Sequence, residues 1–306
     1  MGKILVSGLV NLEMSVPVNS FPVDYSPITY LFNGISTAVS GVGYNVFCAL
    51  ESLGDSVRPC SVTGRDLAAL VIARAFMEKK AETDFLFPIL DKTCTSCVLF
   101  DDQGRRRIFC DLTGVQKVTL PEKIFDSLVS GIDGVVLCNT NFNRKLLDYL
   151  CGKDLPVFTD VHVLSDVHDS YNSPFMKRAD VLFLSHENVP GNHEEFLIRL
   201  YHEYRNKIIV LGQGSLGAML LDGEKREIYT MESVLPRPLV NTLGAGDALF
   251  SSFVHFYLKK FSPLDALKYA VTFAGWKIGE SGGSKGFCTG EECSCTVRKQ
   301  ATENKR

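Results

Sequence analysis

Two glycines and a carboxylate meet at the head of an apolar run in NTLGAGDALFSSFVHFYL, residues 241–258. Gly244 and Gly246 allow successive backbone N–H groups to converge on one point, as turns that cradle anions require. The run from Ala248 to Leu258 lacks Gly and Pro and reads as a buried helix, whose free N–H groups and dipole add to the pull on a phosphate. Asp247 falls in the first turn of that helix. An Asp there is commonly only a cap, a reading that the preceding glycines weaken.

Other polar groups need an element to place them. Residues 3 to 10, KILVSGLV, read as a central strand covered on both faces, and Asn11 and Glu13 follow where it stops. Ligands of open α/β sheets gather at the carboxyl ends of strands, so these two side chains either hydrogen-bond a substrate or tie down a loop. SGVGYN, residues 40–45, places Gly41 and Asn45 just before a short helix, VFCALESLG, that ends at Gly54. A strand over 59–62 closes on Thr63, Gly64, Arg65 and Asp66, and a helix follows over 67–80.

The elements around these groups fall into two kinds. From Ser15 to Ser36, prolines among Val, Phe, Tyr and Ile fit irregular edge strands. Thr95–Phe100 and Arg106–Cys110 flank Asp101, Asp102, Gln103 and Gly104 as a hairpin of the same small sheet. Arg105, Arg106 and Arg107 read as part of a solvated turn, since consecutive strand residues face opposite ways. After Pro121, helices near 121–130, 143–151 and 192–205 alternate with strands at 134–139, 156–160, 181–185 and 207–212, implying parallel βαβ units. Helix 263–280 closes the core, with Ser262 as N-cap and Pro263 at the first position. The polar segment 291–306 is expected to be poorly ordered.

Gly212, Gly214 and Gly217 spell GxGxxG after a strand, yet the sequence beyond continues as strand, turn around Asp222-Gly223, and strand. A dinucleotide fingerprint must open a helix. The loop is left as a nucleotide-side turn or an ordinary bulge.

Composition narrows the class. With 45% hydrophobic residues among 306, a sizeable core is available, in one large α/β domain or two smaller ones. A formal net charge of -3 argues against nucleic acid as a partner, and the absence of an 18-residue apolar run argues against a membrane span. The N-terminal apolar run is broken by Asn11 and Glu13, unlike a signal peptide. Ten cysteines, several within apolar segments (Cys48, Cys110, Cys138), read as small core residues of a reduced, cytoplasmic protein. Cys94 and Cys97 form a CxxC pair without the second pair that a zinc ribbon needs.

The block NTLGAGD resembles the (D)TxGAGD signature of the ribokinase-like, phosphofructokinase-B type family of sugar and nucleoside kinases. GLVNLE (8–13) is similar to its GxxNxD motif, SGVGYN to GGxGxN, TGRD (63–66) to TGxD, and Gly214–Ala218 to its GxxGa turn. The likeness runs from about residue 3 to 290. It implies a three-layer α/β/α domain with a mostly parallel central sheet and a small β lid from residues 14–36 and 95–115. By this likeness Asp247 is the general base and the backbone of Leu243, Gly244, Ala245 and Gly246 an anion hole. Asn11, Glu13, Gly41 and Asn45 hold the acceptor, and Gly214, Gly217 and Thr242 face the nucleotide. ATP with Mg²⁺ is the implied donor, and a small ribose- or fructose-like sugar, or a nucleoside, the acceptor. The lid also offers edges for a homodimer.

Departures accompany the likeness. Asn241 replaces the Asp that commonly helps hold a monovalent cation, leaving cation activation in doubt. The NxxE motif, which organises Mg²⁺ waters, aligns on Ser185-His186-Glu187-Asn188, so Glu187 is offset by one as a metal ligand. Glu13 is one methylene longer than the family's Asp, and Ser40 replaces a glycine. A ligand-binding protein on a kinase fold that has lost catalysis is the competing reading. Phe32, Tyr44 and Phe109 either stack on a nucleoside base or serve packing.

Overall fold

A computed structural model describes residues 3–303. The chain begins with β1 (Lys3–Ser7), then leaves the main sheet for β2 (Asn11–Pro17) and β3 (Ser36–Ser40). It returns through α1 (Val42–Ser52), β4 (Ser56–Thr63), α2 (Leu67–Glu78) and β5 (Leu86–Pro88). The hairpin β6 (Thr95–Phe100) and β7 (Arg106–Asp111) follows. Next come α3 (Phe125–Val129), β8 (Gly134–Leu137), α4 (Arg144–Tyr149), β9 (Val157–Val163), α5 (Ser173–Arg178) and β10 (Val181–Ser185). The last part runs α6 (His193–Tyr204), β11 (Ile208–Gly212), β12 (Ala218–Asp222), β13 (Glu227–Met231), α7 (Ala245–Leu258), α8 (Pro263–Lys277) and α9 (Gly290–Glu303).

Nine strands form the main sheet in the order β13-β12-β11-β10-β9-β8-β1-β4-β5. Strands β11, β12 and β13 pair antiparallel, as the turn around Asp222 and Gly223 requires, and the remaining neighbours are parallel. The alternation of side chains along β1 sorts the core into layers. Ile4 and Val6 join Val46 and Leu50 of α1, Phe250 and Phe253 of α7 and Phe273 of α8. Leu5 packs on the other face with Phe125, Leu146 and Phe175 of α3, α4 and α5. Truncating one of these buried phenylalanines to Ala typically costs about 3–5 kcal/mol. The result is a three-layer α/β/α architecture with a mostly parallel central sheet, as the resemblance implies.

The second sheet has the order β3-β2-β6-β7. Asn11 and Glu13 therefore do not trail from the end of β1 but lie within β2. Gly8 explains the break, because the chain there runs against Gly43, with room for no Cβ. Residues 18–35, expected as irregular strand, make no regular element. Cys48 and Cys138 are buried as small core residues, but Cys110 is exposed on the edge strand β7.

The segment beyond residue 290 corrects the expectation of a disordered tail; only residues 304–306 lie outside the described part. A capping box starts α9: Thr289 Oγ1 accepts from Glu292 N–H at 3.2 Å while Thr289 N–H donates to the Glu292 carboxylate at 2.8 Å. Cys293 and Val297, four apart, turn into the core, and Trp276 Nε1 donates to Thr296 Oγ1 at 3.1 Å. Deleting residues 290–306 is expected to lower unfolding stability by ~2–5 kcal/mol, read from the urea midpoint. An unchanged midpoint would contradict the docking of α9.

Candidate active site

The first turns of α1 and α7 meet above the carboxyl edge of the main sheet. Gly41 precedes α1 with φ 92° and Gly244 precedes α7 with φ 78°. A Cβ on Gly244 would also stand 2.5 Å from the Gly283 carbonyl oxygen, so glycine is required there on two counts. Asn45 Nδ2 donates to Asp247 Oδ2 at 2.7 Å, joining groups 202 residues apart.

The turn before α7 sorts its donors. Leu243 N–H is taken by Asn241 Oδ1 at 2.7 Å, and Ala245 N–H by Thr242 O at 3.2 Å. Among the described residues, the N–H groups of Gly244, Gly246 and Asp247 have no protein acceptor. Open space lies where a Gly246 side chain would project. The free donors are therefore shifted one residue towards the helix from the expected set of Leu243 to Gly246, because Asn241 closes a local turn on Leu243. This is a helix N-terminus fit for an anion.

Beside it lies a cluster of acceptors. Asn11 Nδ2 donates to Ser96 Oγ at 2.8 Å, and Glu13 Oε2 accepts from Ser40 Oγ at 3.1 Å and Ser96 Oγ at 3.4 Å. Asn11 Oδ1 and Asn45 Oδ1 are buried without a partner. Leaving buried acceptors unpaired costs roughly 1–3 kcal/mol each, which a ligand bringing hydroxyl donors would recover. Burial raises the carboxyl pKa of Glu13 against the two serine hydrogen bonds, which lower it. Burial likewise raises that of Asp247; the Asn45 hydrogen bond and the positive charges of His162 and Lys277 oppose it, and Asp160 adds to it.

Other expected residues sit elsewhere. Gly217, with φ 100°, is pressed against the Met231 carbonyl, and Gly214 lies by His186, so the GxGxxG stretch is a strand-to-strand turn beside the carboxyl end of β10. Glu187 is exposed in the short 3-10 turn that follows β10. Among the described residues no three His, Cys, Asp or Glu side chains gather as a metal cage. Thr242 Oγ1 accepts from Arg106 Nη1 at 2.8 Å, so one arginine of the hairpin reaches the site instead of sharing a solvated turn. Arg106, Ser15, Phe100, Asn241, Thr242 and Gly282 line a cavity of about 270 Å³ between the small sheet and the turn. Tyr44 packs on Phe47 and Phe76 in the core and is closed to a ligand.

The sequence reading gave no role to Asp160 and His162. Asp160 ends the central part of β9 and accepts the His162 N–H at 2.8 Å, and both act electrostatically on Asp247. Their signal was present: a carboxylate at the carboxyl end of a central parallel strand.

The pfkB family carbohydrate kinase model matches residues 1–288. The chain belongs to this family. Among pfkB relatives, fructosamine kinase FrlD of Bacillus subtilis is 24% identical over 245 residues, covering 79% of this chain and 84% of its own. The structure of a microbiome-derived acarbose kinase, Mak1, superposes with a TM-score of 0.88 at 21% identity, over 97% of this chain and 99% of that one. An Arabidopsis thaliana ribokinase complexed with ribose and ATP gives a TM-score of 0.79 at 15% identity, over 97% and 98%. At these identities the two structures establish the pfkB fold alone. No helix among the described residues is long and apolar enough to cross a membrane.

The raised pKa of Asp247 has a stability consequence. The unfolded chain ionises this group more readily than the folded one, so its stabilising contribution is complete below the ordinary Asp pKa and is lost as pH rises through the folded value. Asp247→Asn is therefore expected to raise Tm by a few degrees at pH 7–8 and to lose that advantage near pH 3.5, as followed by thermal melting. A variant less stable than wild type at pH 7–8 would contradict a desolvated carboxylate at 247.

Proposed function

We propose that this pfkB kinase transfers the γ-phosphoryl group of ATP to a hydroxymethyl oxygen of a small sugar. The observation that carries the reading is the juxtaposition of Asp247, three free N–H groups and a donor-hungry acceptor cluster. Phosphoryl transfer asks chiefly for positioning and for charge stabilisation on the transferred group. The sugar hydroxyls donate to Asn11 Oδ1, Asn45 Oδ1 and Glu13, which sets the reacting hydroxyl beside Asp247. As the oxygen attacks the γ-phosphorus and the bond to ADP breaks, Asp247 takes the hydroxyl proton. The N–H groups of Gly244, Gly246 and Asp247 stabilise the developing charge.

Magnesium bound with the nucleotide would neutralise phosphate charge, which commonly takes only one or two protein carboxylates. Glu187 is the carboxylate assigned to it. Asn241 spends its side-chain oxygen on Leu243 N–H, so no step is assigned to a monovalent cation. Gly214, Gly217 and Thr242 border the nucleotide, and the small sheet acts as a lid through Arg106, excluding water. The same sheet has open edges for a homodimer, and the protein works on a small molecule in the cytoplasm.

Burial of Tyr44 favours a sugar over a nucleoside, because one of the aromatic groups expected for a base is committed to the core. Glu13 favours an amino sugar within that class. It forms no ion pair among the described residues, and an acceptor's ammonium would supply the missing charge. The fructosamine kinase relative is consistent with that choice.

Coupled ADP release over pentoses, hexoses, amino sugars and nucleosides tests the reading. Wild type is expected to turn over a sugar, and Asp247→Asn to retain ATP and sugar binding while kcat falls ~10²–10⁴-fold. Tight binding without turnover of any acceptor would instead make the chain a binding protein on a kinase fold.

A further inference from the structure

Lys277 is wholly buried, at 0% exposure, and the mechanism above gives it no step. It is the last residue of α8, and its Nζ donates to the Glu280 carbonyl at 3.3 Å. No carboxylate pairs with it among the described residues. An ammonium withheld from water in this way persists only where the surrounding structure compensates for it.

The chain that Lys277 begins folds under the phosphate-binding turn. Val240 and Asn241 N–H both donate to the Ile278 carbonyl, at 2.9 and 3.0 Å. Arg237 clamps the two ends of the loop, with Nε donating to Trp276 O at 2.7 Å and Nη2 to Gly286 O at 2.8 Å. At its centre, Gly283 presses on Gly244 from one side and on Asn45 from the other; a Cβ on Gly283 would stand 2.8 Å from Asn45 Nδ2. One loop thus touches both the residue that opens the anion site and the amide that holds Asp247.

We infer that Lys277 is a positioning residue for phosphoryl transfer: its buried ammonium anchors the 278–286 loop against Gly244, which opens the anion site, and Asn45, which holds Asp247. The inference rests on the kinase reading above. The charged groups that act on Lys277 are Glu280 of its own loop, Arg237 of the preceding segment and Asp247 of α7. Burial, the largest influence, brings its pKa down to about 8; Glu280 and Asp247 oppose the fall and Arg237 adds to it. Deprotonation then occurs in the range where kinase assays are run: as pH rises through that value the bond to the Glu280 carbonyl loses its charge assistance and weakens, and the favourable influence of the ammonium on the Asp247 carboxylate is lost.

The test is the pH profile from 6 to 10 of wild type, Lys277→Met and Lys277→Arg, all as the full chain, with ATP and the best sugar from the acceptor panel. Wild-type kcat is expected to fall above pH 8, and Lys277→Arg to carry that fall to higher pH, because a guanidinium keeps its charge. Lys277→Met is expected to lose at least tenfold in kcat with KM for ATP changed by less than about threefold, to lack the fall above pH 8, and to have its acid limb displaced upward. An active wild type with a flat profile to pH 9.5, or a Lys277→Met enzyme with the wild-type profile and kcat, would overturn the inference and leave the kinase reading intact. A wild type that phosphorylates no acceptor would overturn both. Should Lys277→Met not fold, the comparison of wild type with Lys277→Arg decides alone, an unmoved basic limb counting against the inference.

Discussion

The hydrogen bond from Asn45 to Asp247 is the contact on which the geometry of the site depends, because it fixes two helix N-termini that the chain reaches by separate routes. Asn45 belongs to the helix that leaves the small sheet, and Asp247 to the helix that leaves the glycine turn at Gly244. Holding them 2.7 Å apart places a carboxylate between a group of acceptors and a group of free N–H donors. The cost is desolvation of Asp247, which raises its carboxyl pKa. In the role proposed for Asp247, a base whose pKa is raised towards the working pH is also better matched to taking a proton from an alcohol.

The two halves of the site are opposite in hydrogen-bonding character. On the acceptor side the unsatisfied atoms are the Asn11 and Asn45 amide oxygens, beside the serine-bonded Glu13 carboxylate, and they suit a ligand rich in hydroxyl or amino donors. On the side of the glycine turn the unsatisfied groups are N–H donors at the head of α7, which suit an anion. Arg106 crosses from the small sheet to Thr242 on the same side, adding a cation there. In the proposed kinase reaction, this polarity sets which end of each substrate lies where.

Much of the frame was readable from residue order. The strand at 181–185 and the antiparallel pair after Gly217 follow from apolar runs and turn residues, and helix α7 from the uninterrupted run after Asp247. Four things were not readable. That β2 carries Asn11 and Glu13 into the second sheet depends on the Gly8–Gly43 contact, which joins residues from different elements. The reach of Arg106 to Thr242 depends on how two sheets face each other, not on the hairpin that bears it. Helix α9 looked like a polar tail because only Cys293 and Val297 mark its buried face, although the Thr289–Glu292 capping box was there to be noticed. Lys277 is hidden for the same reason: a lysine at a helix end reads as solvated until the loop that covers it is known.

A double-mutant cycle between Asn45 and Asp247 tests most directly whether this contact organises catalysis. Single-turnover rates would be measured for Asn45→Ala, Asp247→Asn and the double variant, with saturating ATP and sugar. If Asn45 acts by orienting Asp247, its loss slows wild type at least tenfold yet changes the Asp247→Asn background by less than about twofold. Equal losses in both backgrounds would show that Asn45 and Asp247 act independently and would contradict the account.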